Sequence, residues 1–132
     1  MKILLAEDDF LSRRLLNIYL SDIGEVDIAT NGNEAIMAVN LALNENQLYD
    51  LICLDIMMPG VDGIEALKNI RTLETQNGLN KGTWSKIIMT TALSEKEYVV
   101  KAALARCDAY IIKPVTKTRL FKELRDLGFD IS

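Results

Sequence analysis

ILLAEDD at residues 3–9 and LICLD at residues 51–55 decide the fold, because each is a short apolar run that ends in acid. Continuous apolar runs of this length are typical of strands buried on both faces of a parallel sheet. If the two strands lie side by side, their carboxyl ends meet at one rim, which is where ligands bind in open α/β sheets. Glu7, Asp8 and Asp55 would then crowd together, and crowded carboxylates are stable chiefly when a cation neutralises them.

The composition predicts a single globular domain spanning residues 1–132, with 49% hydrophobic and 26% charged residues. A net charge of −4 argues against binding nucleic acid through its phosphates, and no apolar stretch approaches the length of a membrane span. Acid at Glu7 comes too soon for a signal peptide. The chain has no histidine, which excludes histidine metal sites, histidine triads and a phosphohistidine donor. Cys53 and Cys107 lack metal-type spacing, so we expect two free thiols and a cytoplasmic protein.

Strand and helix patterns alternate five times along the chain. Strands are predicted at residues 2–6, 25–29, 50–54, 86–90 and 109–112. Helices are predicted at residues 10–23, from Asn31 with Glu34 as its capping partner, at 64–73, from a capping box at residues 94–97, and at 116–127. This alternation predicts an α/β fold with a parallel sheet, right-handed crossovers and helices on both faces.

Chemically useful side chains follow four of the predicted strands, namely Glu7-Asp8, Asp55, Thr90-Thr91 and Lys113. Carboxylates suit Mg²⁺, which takes few protein ligands and keeps several waters. A hydroxyl and an ammonium bind anionic oxygens beside such a metal. Together these groups are the parts needed for phosphoryl transfer to a carboxylate, which forms an acyl phosphate.

The ordered set Glu7-Asp8, Asp55, Thr91-Ala92 and Lys113-Pro114 resembles the receiver domain of two-component response regulators. The loop DIMMPGVDG at residues 55–63 is similar to the phosphoacceptor motif of that family, and the closest size match is its stand-alone, CheY-like type. The resemblance covers essentially the whole chain. It implies a flavodoxin-like (βα)5 fold, a doubly wound five-stranded parallel sheet in the order 2-1-3-4-5.

The resemblance implies a role for each matching acid. Asp55 would be the phosphoacceptor and a metal ligand. Asp8 would bind Mg²⁺ (or Mn²⁺) directly, Glu7 would act through water, and the backbone carbonyl of Met57 would be a further ligand. The chain would be a regulator rather than an enzyme, with intrinsic self-phosphorylation and autodephosphorylation chemistry.

The remaining matches imply how the phosphoryl group is held and sensed. Thr91 would bind it through its hydroxyl and Lys113 through its ammonium, with a cis Lys113–Pro114 bond. Tyr110 occupies the position of the family's switch aromatic, which rotates as Thr91 moves. The donor would be a sensor histidine kinase or a phosphotransfer protein, and a downstream protein would bind the face of helix 4, strand 5 and helix 5. We expect a monomer or transient dimer with no direct nucleic-acid or membrane contact.

Each residue also has a simpler explanation when taken alone. Glu7, Asp8 or Asp9 suits a helix N-terminus, and we assign Asp9 to that role. Tyr110 suits a core strand, and Thr90 should point opposite Thr91 into the packing. An aspartyl phosphatase is the enzymatic rival, but its Asp-x-Asp pattern has Met57 in the second position here. The joint occurrence of the acids, Thr91 and Lys113 in the order found in receivers favours a receiver domain over these alternatives.

Two features are unusual. Met57 and Leu93 are apolar at positions that vary in receivers, and we hypothesise that their bulk restricts the attacking water and lengthens the phosphoryl lifetime. The loop at residues 75–86 is long, and its Trp84 is either a lid over the sheet edge or a helix end, or a partner contact. Two alternative functions remain open, a phosphorylation-independent interaction module and a phosphate sink.

Overall fold

Five strands and five helices alternate in the computed structural model, which describes all residues 1–132. The strands are β1 Lys2–Ala6, β2 Glu25–Ala29, β3 Leu51–Leu54, β4 Lys86–Thr91 and β5 Ala109–Ile112. The helices are α1 Phe10–Ser21, α2 Gly32–Asn44, α3 Gly63–Gln76, α4 Lys96–Leu104 and α5 Lys117–Asp126. None of these helices combines the length and the apolar character that a membrane span requires.

All strand pairs are parallel, and the sheet order is β2-β1-β3-β4-β5. This confirms the predicted flavodoxin-like order. The two apolar runs that end in acid form the neighbouring strands β1 and β3, with Leu5 opposite Cys53. Every residue of β3 is fully buried, as expected for a central strand that is covered on both faces.

Alternate residues of the central strands enter two separate cores. Leu4, Ile52 and Leu54 pack with α2, α3 and α4 on one face of the sheet. Leu5 and Cys53 pack with α1 and α5 on the other face. The period-2 alternation of strand side chains therefore produces the doubly wound arrangement. Both cysteines are free thiols, as predicted.

Side-chain caps mark the starts of four of the five helices. Asp9 caps α1 by accepting a hydrogen bond from the Ser12 amide at 2.9 Å, which confirms its assignment to the helix. Asn31 caps α2 as predicted, whereas Glu34 accepts from the amide of Thr30 rather than that of Asn31. These caps satisfy amide groups that have no partner within the helix.

Several predicted helix boundaries differ from the structure, beginning with α1, which ends at Ser21 rather than residue 23. The capping box at Ser94 is not formed, because α4 begins at Lys96 and its cap position, Glu95, makes no side-chain hydrogen bond. Residues just before it belong instead to the turn that leaves β4, where the Leu93 amide donates to the Thr91 hydroxyl at 3.3 Å. Helix α3 extends to Gln76 rather than residue 73, so the long loop begins later than predicted.

A buried ion pair explains the added turn of α3. The Arg71 guanidinium donates to Glu74 at 2.8 Å and to Asp108 at 3.0 Å, and Glu74 also accepts from the Ser85 amide at 2.7 Å. Charged residues at these positions therefore face inward. Trp84 covers this pair, with its ring centroid 4.4 Å from the Arg71 guanidinium carbon, which agrees with its interpretation as a lid.

Candidate functional site

Three carboxylates meet where β1 and β3 end. The Asp55 amide donates to the Ala6 carbonyl at 3.0 Å, so the β1–β3 pairing continues directly into the acidic residues. One carboxylate oxygen from each of Glu7, Asp8 and Asp55 lies within 4.8 Å of the others. The parallel pairing of two apolar strands thus brings together acids that are 47 or more positions apart in the chain.

The three carboxylates differ in their exposure. Glu7 is fully buried, Asp55 is 4% exposed, and Asp8 is exposed to solvent. Burial raises the pKa of Glu7 to about 7; the hydrogen bond from Lys113 opposes this rise and the nearby Asp55 adds to it. A buried carboxylate that faces a second carboxylate lacks sufficient positive charge around it, so additional cationic charge would be stabilising here.

Lys113 supplies part of that charge. Its ammonium lies 2.5 Å from Glu7 Oε1 and 3.0 Å from Asp55 Oδ2, and it bridges the two buried acids. Burial lowers the pKa of Lys113, but the hydrogen bonds to Glu7 and Asp55 outweigh it and leave the pKa raised, so the side chain stays charged. The Lys113 amide donates to the Thr91 carbonyl at 2.8 Å, and the following bond to Pro114 is cis, as the resemblance implied.

The donor set fits a small divalent cation. When all three carboxylates are ionised, the single ammonium leaves two negative charges uncompensated, and carboxylate oxygens are the ligands that Mg²⁺ prefers. The exposed Asp8 leaves an open side for the waters that Mg²⁺ retains. The main chain of Met57 lies against the acidic cluster, because its amide donates to Asp55 Oδ1 at 3.3 Å.

Thr91 and Tyr110 are linked through Leu93. Thr91 is fully buried at the end of β4, and its hydroxyl accepts from the Leu93 amide. The Tyr110 hydroxyl donates to the Leu93 carbonyl at 2.6 Å, and burial raises the pKa of this half-buried phenol. Thr90 is fully buried too, as predicted from the strand alternation, and its hydroxyl has no hydrogen-bond partner in the protein.

The two residues predicted to control phosphoryl lifetime are exposed to different degrees. The Met57 side chain is 61% exposed beside the acidic cluster. Leu93 is half-buried and packs against the core that lies on the α2–α3–α4 face. The Met57 side chain therefore faces solvent, whereas Leu93 belongs to the turn that accepts a hydrogen bond from Tyr110.

Two neighbouring features were missed by the sequence analysis. Arg13 donates from Nη1 to the carbonyls of Glu7 and Asp8, a contact that no motif indicated. A cavity of about 360 Å³ lies beside Lys113, between α1 and the segment that follows β5. Leu11 and Leu15 line it and are exposed. The sequence places these two leucines four positions apart, on one face of the predicted helix, and this spacing was the only signal of an outer apolar surface.

Fold and site define a receiver-type scaffold, and comparison with known proteins agrees. The response regulator receiver domain family matches residues 3–125, so the chain belongs to that family. It is 39% identical over 127 residues to the transcriptional regulatory protein ResD of Bacillus subtilis, covering 96% of this chain and 47% of ResD. It is 32% identical over 124 residues to the chemotaxis protein CheY-3 of Vibrio cholerae, covering 94% of this chain and 88% of CheY-3.

A solved structure of a receiver domain has the same fold. The receiver domain of the histidine kinase CKI1 from Arabidopsis thaliana, complexed with Mg²⁺, is 26% identical and superimposes with a TM-score of 0.83, covering 96% of this chain and 91% of that chain. The chain spans about half the length of ResD and of the regulatory protein VanRB from Enterococcus faecalis. Receiver domains are regulators of two-component systems and bind Mg²⁺ at an acidic pocket, and this chain has such a pocket.

Proposed function

We propose that this chain is a phosphoacceptor receiver that takes a phosphoryl group on Asp55 and thereby changes its affinity for a downstream protein. The observation that carries the proposal is the Lys113 ammonium bridging Glu7 and Asp55 at a rim of three carboxylates. Glu7, Asp8, Asp55 and the Met57 carbonyl would hold Mg²⁺ (or Mn²⁺). When bound, the metal supplies positive charge that offsets the developing charge on the transferred phosphoryl group.

The transfer itself is a displacement at phosphorus. An Asp55 carboxylate oxygen forms a bond to phosphorus while the bond from phosphorus to the donor's imidazole nitrogen breaks, and that nitrogen keeps the electron pair. The product is an acyl phosphate. Asp55 is held for this attack by two hydrogen bonds, from the Met57 amide to Oδ1 and from Lys113 to Oδ2.

Lys113 and Thr91 would then hold the new group. Phosphorylation removes charge from the Asp55 carboxylate and adds anionic phosphoryl oxygens close to the Lys113 ammonium. The phosphoryl group is a stronger partner for this ammonium than the carboxylate is. The buried Thr91 hydroxyl would donate to one of those oxygens. Since that hydroxyl now accepts from the Leu93 amide, its reorientation would be felt in the turn after β4.

The turn at Leu93 connects the site to an exposed face of the protein. The Tyr110 hydroxyl donates to the Leu93 carbonyl, and Tyr110 stands on the edge strand β5, where it packs against the core that includes Ala102 of α4. Movement of the turn would therefore change the face of α4, β5 and α5, where Val100, Leu104 and Ile112 are exposed apolar residues. A partner that binds one arrangement of this face more tightly would shift the equilibrium between the two.

The phosphodonor would dock beside Asp55. Exposed Leu11 and Leu15 on α1, together with the segment from Lys113 to Val115, surround the 360 Å³ cavity, and Lys113 joins it to the acidic site. An apolar surface next to the nucleophile suits a helical sensor histidine kinase or phosphotransfer protein.

We further propose that the chain is one domain, acts in the cytoplasm as a monomer or transient dimer, and contacts neither nucleic acid nor membrane directly.

Acetyl phosphate tests this function without a cognate kinase. Wild-type protein incubated with acetyl phosphate and Mg²⁺ should gain the mass of one phosphoryl group, and Asp55→Asn should gain none. Chelation of Mg²⁺ should abolish the gain. Absence of labelling in the wild type, or equal labelling of both proteins, would defeat the proposal.

A further inference from the structure

Arg13 reaches back from α1 over the turn that carries two of the acids. Its Nη1 donates to the Glu7 carbonyl at 3.1 Å and to the Asp8 carbonyl at 3.0 Å. The guanidinium carbon also lies 5.7 Å from the centroid of the Phe10 ring, and the side chain is half-buried. One rigid, planar group therefore holds the main chain of two successive acids.

Asp8 depends on this contact more than its neighbours do. The Glu7 amide donates to the Ala29 carbonyl at 3.0 Å, and Asp9 is fixed as the cap of α1. The main chain of Asp8 takes part in no backbone–backbone hydrogen bond, and the bond from Arg13 is its single hydrogen bond. The carbonyl of the Asp8–Asp9 peptide is thus held by Arg13, while the N–H of the same peptide donates to Glu7 Oε2 at 3.2 Å, so Arg13 is the one hydrogen-bond partner of this peptide from outside the acidic turn.

We propose that Arg13 is a positioning residue for the metal ligands, which holds the Glu7–Asp8 main chain so that the Asp8 carboxylate faces the same cation as Asp55. The inference rests on the proposed function, since it assumes Mg²⁺ at the three carboxylates. Groups that orient metal ligands from outside the ligand shell are typically worth about 10–100-fold in metal affinity.

If Arg13 acts through its charge, its loss should raise the affinity for Mg²⁺; if it acts by positioning Asp8, its loss should lower that affinity. A positive charge near a cation site repels the cation, so loss of the charge alone would strengthen Mg²⁺ binding. Loss of the two hydrogen bonds would let the Asp8 peptide move and would weaken Mg²⁺ binding. Arg14 provides a matched control, because it carries the same charge at the next position of α1 and is exposed, with no side-chain hydrogen bond or ion pair.

Calorimetric titration with Mg²⁺ alone separates these roles in wild type, Arg13→Met, Arg13→Lys and Arg14→Met. Both Arg13 variants should bind Mg²⁺ more weakly, by about tenfold for Arg13→Met and less for Arg13→Lys, which retains the charge and one donor group. Arg14→Met should bind as tightly as wild type or slightly more tightly. Tighter binding by Arg13→Met, with Arg13→Lys equal to wild type, would show that Arg13 acts only through its charge and would overturn the inference.

Two further readouts exclude a purely structural role and a failure of the underlying function. The Mg²⁺ concentration for half-maximal labelling by acetyl phosphate should rise in Arg13→Met, with the labelling rate at saturating Mg²⁺ retained. A lower melting temperature with unchanged Mg²⁺ affinity would overturn the positioning role. If wild type itself fails to bind Mg²⁺, the proposed function fails; if wild type binds and both Arg13 variants match it, the positioning inference alone fails.

Discussion

The Tyr110 hydroxyl donates a 2.6 Å hydrogen bond to the Leu93 carbonyl, which ties β5 to the turn that follows β4. The same turn is joined to Thr91 through the Leu93 amide. The candidate phosphoryl-binding hydroxyl and the candidate switch aromatic therefore share one peptide segment. Communication between the site and the α4–β5–α5 face then requires movement of a single turn rather than a long chain of contacts.

Tyr110→Phe tests that coupling. It removes one hydrogen bond at a half-buried position, so the free energy of unfolding should fall by about 1 kcal/mol. Labelling of Asp55 by acetyl phosphate should be unchanged, because the Tyr110 hydroxyl bonds to the Leu93 carbonyl and not to the carboxylates. Amide hydrogen exchange of residues 92–95 should respond to phosphorylation in wild type and lose that response in Tyr110→Phe. A variant that keeps the wild-type exchange response would contradict the coupling.

Lys113→Met should be strongly destabilising in the absence of Mg²⁺. It leaves Glu7 and Asp55 buried side by side without their cation, a loss typically of about 3–5 kcal/mol. Mg²⁺ should bind this variant more tightly and restore part of the stability, because the metal takes over the missing positive charge. Urea denaturation with and without Mg²⁺ measures both effects.

Lys117→Met is the control for Lys113→Met. Lys117 pairs with Asp22 at 2.6 Å, but both side chains are about half exposed, so its loss should change the free energy of unfolding by only about 0–1 kcal/mol. Mg²⁺ should not stabilise it more than wild type. Equal losses of stability from the two lysine variants would show that Lys113 does not compensate buried charge.

Met57→Asn combined with Leu93→Glu should shorten the life of the phosphorylated protein. Both natural side chains are apolar and flank the site, and polar replacements would admit and orient the attacking water. Decay of the phosphorylated mass after removal of acetyl phosphate measures the lifetime. An unchanged decay rate in the double variant would rule out the hypothesis.

Thr90→Val should stabilise the fold. The Thr90 hydroxyl is fully buried and has no hydrogen-bond partner in the protein, so a methyl group of similar shape should raise the free energy of unfolding by about 1 kcal/mol. Thr91→Val is the matched comparison, since Thr91 is equally buried but its hydroxyl accepts from Leu93. A destabilised Thr90→Val would reveal a partner for that hydroxyl.

Much of the fold was predictable because short apolar runs and turn residues determine it locally. The runs before Glu7 and Asp55 predicted adjacent parallel strands, and strand alternation predicted that Thr90 is buried. The order of the acids, Thr91 and Lys113 along the chain then indicated the family. Each of these signals depends on neighbouring residues or on the ends of strands.

The remainder depends on contacts between residues that are distant in the chain. The length of α3 follows from the buried pairing of Arg71 with Glu74 and Asp108, which no local pattern shows. Ser94 matched a capping box, but Tyr110 and Thr91 bind the preceding residue and hold it outside the helix. The reach of Arg13 to the Asp8 carbonyl depends on the angle at which α1 leaves the sheet.

The most direct test of the central claim is the chemical identity of residue 55 after phosphorylation. Borohydride reduction converts an aspartyl phosphate to homoserine, and peptide mass spectrometry locates the change. Protein treated with acetyl phosphate and Mg²⁺ should yield homoserine at position 55 and nowhere else, and protein treated without Mg²⁺ should yield none. An unchanged Asp55, or conversion at Asp8 instead, would contradict the assignment of Asp55 as the phosphoacceptor.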